Sequence, residues 1–500
     1  MRALSDFPDA HLRIFQRPEV PPASEIQSVY LIGICGTGMG SMAGLFKEAG
    51  YHVSGADEAA WPPMSTRLRE MGVDFHEGYD EAHLTPPPDL IITGNACIPT
   101  HPEAQYARQK GLVQQSFPEA LAHFFLKDKR ALVVAGTHGK TTTTGILAHT
   151  FLHAGKDPGY LVGGVMTNTG TSYQVGKGTH FIVEGDEYDS AYFDKRPKFL
   201  HYQPTCAIVT AMEYDHADIY DSWEMYREAF EQFAGIVNPK GTLALCGDEE
   251  AVRNIAPFTQ AQIRYYGVHF KENHVSAINI RPVDGGQFFT PIVDGLPLTE
   301  MFFPMSGKHN LTNALGVLTI ALAEGLTPEE IAAAFLSFKG LKRRQEVRGI
   351  ENDVVVIDDF AHHPTAVEAT LSAIREHWPS RRVIAVFEPR SNSSRRKVFE
   401  DAYAQAFHHA DAVFISAPPL RHNDDPANFM DVQQVTDRIG ASGISAAHFP
   451  HAEALLPALV QMVRPGDVVL IMSNGGFGGI HDKLLHILRE NTSFVPRKEG

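Results

Sequence analysis

Val133-Val134-Ala135-Gly136-Thr137-His138-Gly139-Lys140-Thr141-Thr142-Thr143-Thr144 decides how this chain is read. An apolar run from Ala131 to Ala135 feeds a short glycine loop, and a lysine and four threonines then open a helix that continues through Gly145-Ile146-Leu147. The pattern predicts a strand, a phosphate-cradling loop and a helix N-terminus, where backbone N–H groups and the positive end of the helix dipole favour an anion. Gly136, Thr137, His138, Gly139, Lys140, Thr141 and Thr142 are the candidate contacts to a nucleotide, ATP. Lys140 suits the outer phosphates, and the Thr141 hydroxyl suits Mg²⁺. The loop is the shorter G-x-x-G-K-T, because Val134 stands five residues before Gly139 where the standard pattern has glycine. A plain βα turn with a solvated lysine accounts for the glycines but not for Lys-Thr at the helix start.

Five hundred residues exceed a single core and imply about three domains. A hydrophobic content of 43% and a charged content of 20% belong to a soluble globular chain. No uncharged apolar stretch approaches the roughly 20 residues that span a bilayer. Residues 1–23 carry Asp6, Asp9, Glu19 and four prolines without an apolar region, which does not read as a signal peptide. Cys35, Cys97, Cys206 and Cys246 lack metal-ligand spacing and read as thiols in a reducing cytoplasm. A net charge of −16 argues against nucleic acid as partner but allows anionic small molecules at local positive sites.

Strands alternate with helices almost throughout, which predicts an α/β protein with parallel sheets. The first unit opens with a strand at 28–33, glycines at 36, 38 and 40, a helix from Met39 to Gly50, and a strand 52–55 ending at Asp57. This is the outline of a dinucleotide fold, although G-I-C-G-T-G-M-G is not a clean G-x-G-x-x-G and also fits a ligand-free turn. A second unit starts at Arg130 and contains strands at 181–184 and 206–210. Short alternating runs with Pro and Gly between 261 and 305 predict a small β appendage, followed by helices at 309–324 and 327–337. A third unit begins near Lys339-Gly340, with strands at 354–358, 382–387, 411–416 and 468–472.

Two acidic clusters, Glu184-Gly185-Asp186-Glu187-Tyr188-Asp189 and Glu213-Tyr214-Asp215-His216, fall at the carboxyl ends of strands expected to flank the phosphate loop. Parallel sheets present ligands at that end. Carboxylates and an imidazole there suit Mg²⁺ or Mn²⁺ between phosphates and a second substrate. Solvated acidic loops are the plainer alternative.

G-T-H-G-K-T-T, E-G-D-E, E-Y-D-H-A-D, G-K-H-N-L-T-N-A (307–314), K-R-R (342–344) and D-D-F-A-H-H-P (358–364) occur in this order. Together they resemble the signature set of the Mur ligases, the ATP-dependent amide-bond ligases of peptidoglycan synthesis, from about Val29 to Leu488. The resemblance implies three domains with the active site between them. They are a Rossmann-like UDP-N-acetylmuramate-binding domain (28–127, after an extension 1–27), a phosphate-loop ATP domain with a parallel sheet and the β appendage (128–341), and a Rossmann-like amine-binding domain (342–500). It also implies roles. Lys140, Glu184, His216 and Arg344 are catalytic. Thr141, Glu184 and His216 hold the metal. Asn310 and Asn313 contact adenine, although Asn310 also suits a helix cap. Arg344 approaches the γ-phosphate, Asp359 binds the ribose, and His362 stands beside it.

Several members of the family carry a modified lysine about fifteen residues after the metal histidine; residues 217–239 contain none. That points to the branch whose carboxyl substrate is UDP-N-acetylmuramate. Gly36, Thr37, Gly38, Met39, Asp57 and Asn95 are then UDP-sugar contacts, and the first glycine loop is a UDP pyrophosphate site. Segments W-P-P-M-S (61–65), T-G-N-A (93–96), 184–199, E-P-R-S-N (388–392) and M-S-N-G-G-F-G-G-I-H (472–481) resemble the members that join the intact tripeptide L-Ala-γ-D-Glu-meso-diaminopimelate in peptidoglycan recycling. The amine-substrate candidates are Arg390, Ser391, Asn392, Ser473, Asn474 and His481, with Arg390 suited to a bidentate carboxylate contact or, more plainly, an ordinary surface arginine. Residues 393–396 depart from that pattern and carry no assignment. The rivals are the same chemistry with free L-alanine, a nucleotide-switch protein, and an NAD-binding oxidoreductase, for which no hydride-transfer site is found.

Overall fold

A computed structural model of the chain describes residues 3–60, 64–214, 219–391, 394–419 and 428–490. The chain divides into two compact units, residues 1–277, 292–298 and 313–334 in the first, and 278–291, 299–312 and 335–500 in the second.

The first unit carries two sheets. Strands β1 (Ser28–Ile32), β2 (His52–Asp57), β3 (Asp74–Glu77), β4 (Leu90–Thr93) and β5 (Gln114–Ser116) form an all-parallel sheet in the order β3-β2-β1-β4-β5. The central strands β1 and β4 are apolar and buried nearly throughout, as parallel strands covered on both faces require. The chain reverses direction of progress between β1 and β4, and the loops after these two strands, at 33–36 and 94–97, therefore border a crevice at the carboxyl end.

The second sheet is built around β6 (Arg130–Ala135), with β7 (Gly159–Leu161), β8 (Tyr173–Gln174), β9 (His180–Gly185), β12 (Cys206–Val209), β13 (Thr242–Cys246) and β14 (Gln262–Tyr266). Their order is β14-β13-β12-β6-β9-β7-β8, and only the edge strand β8 is antiparallel. Helix Lys140–His153 is buried on all sides from Thr141 to Phe151, the position of a helix without a polar stripe. The appendage expected from residue 261 starts later. β14 pairs in parallel with β13 and belongs to the main sheet, because its residues 262–266 continue the parallel register. β15 (Val275–Val283) meets β14 in parallel at Val275, and the antiparallel part is β16 (Gly286–Val293), which pairs with both β17 (Leu296–Pro297) and β18 (Met301–Phe303); residues 278–291 and 299–303 of this stretch belong to the second unit.

A small hairpin, β10 (Asp189–Ala191) with β11 (Asp194–Pro197), lies just beyond β9. The N-terminal extension packs on it. Phe15 stacks on Tyr192 and meets Phe193 edge-on, Arg13 donates to Tyr192 O at 3.1 Å, and Arg17 lies 4.5 Å over the Phe193 ring. Arg17 also makes a two-pronged contact with Glu119 at 2.8 and 2.9 Å, beyond β5 of the first sheet. The extension thus ties this separate hairpin to the helix Phe117–Leu121 that follows β5.

The second unit has one sheet of β19 (Glu346–Glu351), β20 (Val354–Asp359), β21 (Val383–Glu388), β22 (Ala412–Ser416), β23 (Ser445–Phe449) and β24 (Val468–Ser473), ordered β19-β20-β24-β21-β22-β23. Only β19 is antiparallel. Alternate residues of β20, β21 and β24 feed two apolar layers, Val355, Ile357 and Leu470 in one and Val354, Val356 and Ile471 in the other. At the carboxyl ends this places Asp359 opposite Met472, and Glu388 opposite Ser473. All four cysteines are free thiols. Among the described residues no helix is long and apolar enough to cross a membrane.

One buried imidazole sets a pH dependence. His149 donates from Nε2 to Ala334 O at 3.1 Å, and burial pushes it down to about 4. The unfolded chain binds a proton there near the ordinary value of about 6.5 and the folded chain does not. The resulting stability, about 3 kcal/mol at most, is fully present above pH 6.5 and is lost as pH falls toward 4. The melting temperature of a His149→Gln variant, followed from pH 7 to 4, should fall less steeply than that of the unaltered chain; equal slopes would refute this.

Candidate active site

β6 is flanked by β9 and β12, with Ala135 opposite Gly185 on one side and Val209 on the other. The loop leaving β6 therefore opens between the two acidic clusters, as the sequence implied. Gly136 and Gly139 take positive φ values of 135° and 81°, and helix Lys140–His153 starts directly after Gly139. The side-chain amide of Asn313 lies so close to Gly139 that a Cβ there would meet its Oδ1 at 2.8 Å, so only glycine fits.

The loop is fastened from the β12 side. Thr137 N–H donates to Ala211 O at 2.8 Å, and the Thr137 hydroxyl accepts from Glu213 N–H at 2.9 Å and bonds the Tyr226 hydroxyl at 2.7 Å. His138 Nε2 meets Glu213 Oε2 at 2.9 Å, and Thr210 donates from Oγ1 to His138 O. These bonds hold the loop's shape through the Thr137 N–H, the Thr137 and His138 side chains and the His138 carbonyl, the kind of preorganisation that stabilises an incoming charge without rearrangement.

Lys140 is placed differently from expectation. Its ammonium turns back on the protein, donating to Gly136 O at 2.6 Å and to Glu187 Oε2 and Oε1 at 2.8 and 3.0 Å. Glu187 is fully buried. Burial opposes the charge on Lys140, but the carboxylates of Glu187 and Asp186 outweigh it and hold the ammonium above its ordinary value. Glu187 closes the E-G-D-E motif, yet it was given no role; its burial could not be read from sequence.

Thr141 and Glu184 come together. The Thr141 hydroxyl donates to Glu184 Oε2 at 3.2 Å, and Glu184 Oε1 accepts the Gly163 N–H at 2.6 Å. Two oxygen donors at the mouth of the loop suit a hard divalent cation, Mg²⁺ or Mn²⁺. Asp215 and His216 lie outside the described residues.

In the first sheet, Gly36 caps helix Thr37–Glu48, and Gly36, Thr37 and Gly38 are exposed at its N-terminus. Asn95 is exposed in the loop after β4. Asp57 accepts the Cys35 N–H at 2.7 Å and so braces the glycine loop. Met39 is 7% exposed and packs inward, which leaves its backbone as the part that faces the loop. Trp61, Pro62 and Pro63 lie outside the described residues.

In the second unit, Asp359 is buried and accepts N–H groups from Gln345 and Ala361, both at 2.8 Å; burial raises its carboxyl despite the nearby Arg344. Arg344 lies 4.8 Å over the Phe360 ring, and His362 bonds from Nδ1 to Phe360 O. Asn310 donates from Nδ2 to Ser306 O at 2.7 Å, so its side chain bonds a carbonyl and does not cap helix N–H groups.

The amine-substrate candidates divide. Arg390 is half exposed, with Nη1 3.8 Å from Glu388 Oε1, and its stem lies where a Cβ on Gly475 would meet Cδ at 2.3 Å. Asn474 Oδ1 is buried with no hydrogen-bond partner among the described residues, the mark of a group that a ligand can satisfy. Ser391 is turned to Ser394 (2.8 Å between hydroxyls), and Ser473 donates to Glu388 at 2.5 Å. His481 is buried and pairs with Asp358 at 3.4 Å. Ser473 and His481 therefore brace the carboxyl end of the sheet with their side chains. Asn392 lies outside the described residues.

Three family models match the chain: "Mur ligase family, catalytic domain" over residues 28–129, "Mur ligase middle domain" over 134–321, and "Mur ligase, glutamate ligase domain" over 343–475. The chain is 38% identical to the UDP-N-acetylmuramate–L-alanyl-γ-D-glutamyl-meso-2,6-diaminoheptandioate ligase of Haemophilus influenzae, covering 93% of this chain and 100% of that protein. It is 37% identical to the ligase of the same name from Escherichia coli, over 91% and 97% of the two chains. The crystal structure of a murein peptide ligase from Psychrobacter arcticus superposes with a TM-score of 0.70 at 34% identity, covering 93% of this chain and 99% of that one. With three successive models along its length, near-complete coverage of these relatives and a phosphate loop flanked by the expected acidic strands, the chain belongs to the Mur ligase family.

Proposed function

We propose that the chain is an ATP-dependent, ADP-forming ligase that joins the tripeptide L-Ala-γ-D-Glu-meso-diaminopimelate to UDP-N-acetylmuramate in peptidoglycan recycling. The observation that carries this reading is the 38% identity, over 93% of the chain, to a ligase named for that tripeptide, with Thr141 and Glu184 brought together at the loop between β6 and β9. The muramoyl carboxylate takes the γ-phosphoryl group of ATP. The peptide amine then attacks the acyl carbon, and inorganic phosphate leaves with the electrons of the C–O bond. No side chain has to act as covalent nucleophile. Backbone N–H groups at the start of helix Lys140–His153 receive the phosphates. Lys140 neutralises charge on the transferring group. Thr141 and Glu184 would hold the divalent ion with His216, and that ion supplies charge neutralisation between nucleotide and acceptor when bound.

The division at 28–127, 128–341 and 342–500 assigns the sugar nucleotide, ATP and amine to successive domains. Gly36, Thr37, Gly38 and Asn95 are assigned to the sugar nucleotide with Asp57 behind the loop. The roles of Asn310, Asn313, Arg344, Asp359 and His362 toward ATP rest on the motif resemblance. The cytoplasm, where ATP and the sugar nucleotide occur, is the assigned compartment.

Phosphate release with ATP, UDP-N-acetylmuramate and a panel of amines tests the reading. Tripeptide-dependent release supports it; a preference for free L-alanine would move the chain to the biosynthetic reaction. Within the amine site, Arg390→Ala should raise KM for the tripeptide at least tenfold and leave KM for ATP unchanged. Loss of a buried, bidentate carboxylate contact costs about 2–5 kcal/mol, and an exposed one far less. An unaltered tripeptide KM would transfer that role to Asn474, whose buried Oδ1 has no hydrogen-bond partner among the described residues.

A further inference from the structure

An ammonium has three N–H donors. Lys140 Nζ has four oxygens around it, all from the protein: Gly136 O at 2.6 Å, Thr137 O at 3.4 Å, and both oxygens of Glu187 at 2.8 and 3.0 Å. Its three donors are therefore shared between the loop's own carbonyls and the Glu187 carboxylate. Glu187 is a firm anchor. It is fully buried, and its carbonyl accepts the buried Tyr220 hydroxyl at 2.6 Å. The hairpin that follows it is gripped by Arg13 and by the aromatic contacts of Phe15. When phosphates arrive, the side chain free to move is the long, flexible lysine, while the carboxylate stays.

Resting on the assignment of this loop to ATP, we infer that Glu187 is a positioning residue that competes with the phosphates of ATP for Lys140. From the segment beyond β9, Glu187 sets the ATP affinity and, with Asp186, compensates the buried ammonium. Removing one member of a buried pair penalises the state in which the other is left alone. Here that state is the empty one, since in the nucleotide complex the phosphates supply the missing charge. Loss of the Glu187 charge should therefore destabilise the empty protein more than the complex and, by linkage, tighten nucleotide binding. A carboxylate with a purely architectural role would weaken both states alike.

The test is calorimetric binding of magnesium–ATP to the full chain without acceptor or amine, together with melting temperatures with and without that nucleotide. Glu187→Gln should tighten Kd at least fivefold, lower the melting temperature of the empty protein, and enlarge the rise that ATP produces. In a Lys140→Met background the same substitution should change Kd less than twofold, because the competition runs through the ammonium. An unchanged or weaker Kd in Glu187→Gln, or an equal effect in the Lys140→Met background, overturns the inference. If Glu187→Gln does not fold, Glu187→Asp, which withdraws the carboxylate by one methylene, should tighten Kd at least twofold, and failure to do so overturns it equally. Absence of ATP binding by the unaltered chain would instead remove the nucleotide assignment itself.

Discussion

Lys140→Ala should lower kcat by a factor on the order of 10²–10³, the usual cost of removing one preorganised donor from a developing negative charge. Its effect on stability follows from the structure. Lys140 bonds both oxygens of the buried Glu187, so the alanine variant takes a cation away from a buried carboxylate. Breaking a buried pair from one side typically costs about 3–5 kcal/mol. The variant must therefore be assayed below its own lowered melting temperature, with circular dichroism confirming that it is folded. A double variant, Lys140→Met with Glu187→Gln, removes both charges and should recover stability without recovering turnover. Near-normal phosphate release by folded Lys140→Ala would refute the placement of the reacting phosphates at this loop.

The second large effect concerns Glu184. Its two oxygens face different partners, Gly163 N–H at 2.6 Å and the Thr141 hydroxyl at 3.2 Å. If this carboxylate holds the divalent ion with Thr141, Glu184→Ala should raise the Mg²⁺ concentration at half-maximal activity on the order of 10–100-fold, since even residues that only support a metal's ligands cost that much. Glu184→Gln keeps the size and the acceptor for Gly163 and should show a similar shift. The measurement is activity against free Mg²⁺, and then Mn²⁺, at saturating ATP. Unchanged midpoints in both variants would reduce the cluster to a structural loop, with Gly163 and Thr141 its beneficiaries.

The elements legible in the sequence were those with a strong local signal. The apolar runs 131–135, 181–184 and 354–358 became strands within a residue or two of expectation, because covered parallel strands need unbroken apolar sequence. Strands β3 (Asp-Phe-His-Glu) and β5 (Gln-Gln-Ser) were not legible. They are short polar edges whose only strand signal is pairing with a neighbour. The same division runs through the site. Glycine loop, lysine and threonine are contiguous in sequence and announced themselves. The long-range partners did not: Glu187 with Lys140, Asp57 with the Cys35 N–H, and Asp358 with His481.

The sequence by itself determined the α/β class, the phosphate loop, its flanking acidic strands and the family to which the chain belongs, because each rests on local periodicity or on motifs whose residues act through short stretches of backbone. Only the tertiary structure decided which partner each side chain takes. It turned Lys140 inward onto a buried carboxylate, set Ser473 and His481 to bracing the sheet, left Asn474 unsatisfied beside Arg390, and gave the N-terminal extension a partner in the 189–197 hairpin. The physical reason is that burial and pairing depend on which distant segments meet. A charged side chain removed from water must take whatever partner the fold supplies, and no reading of neighbouring residues along the chain contains that partner.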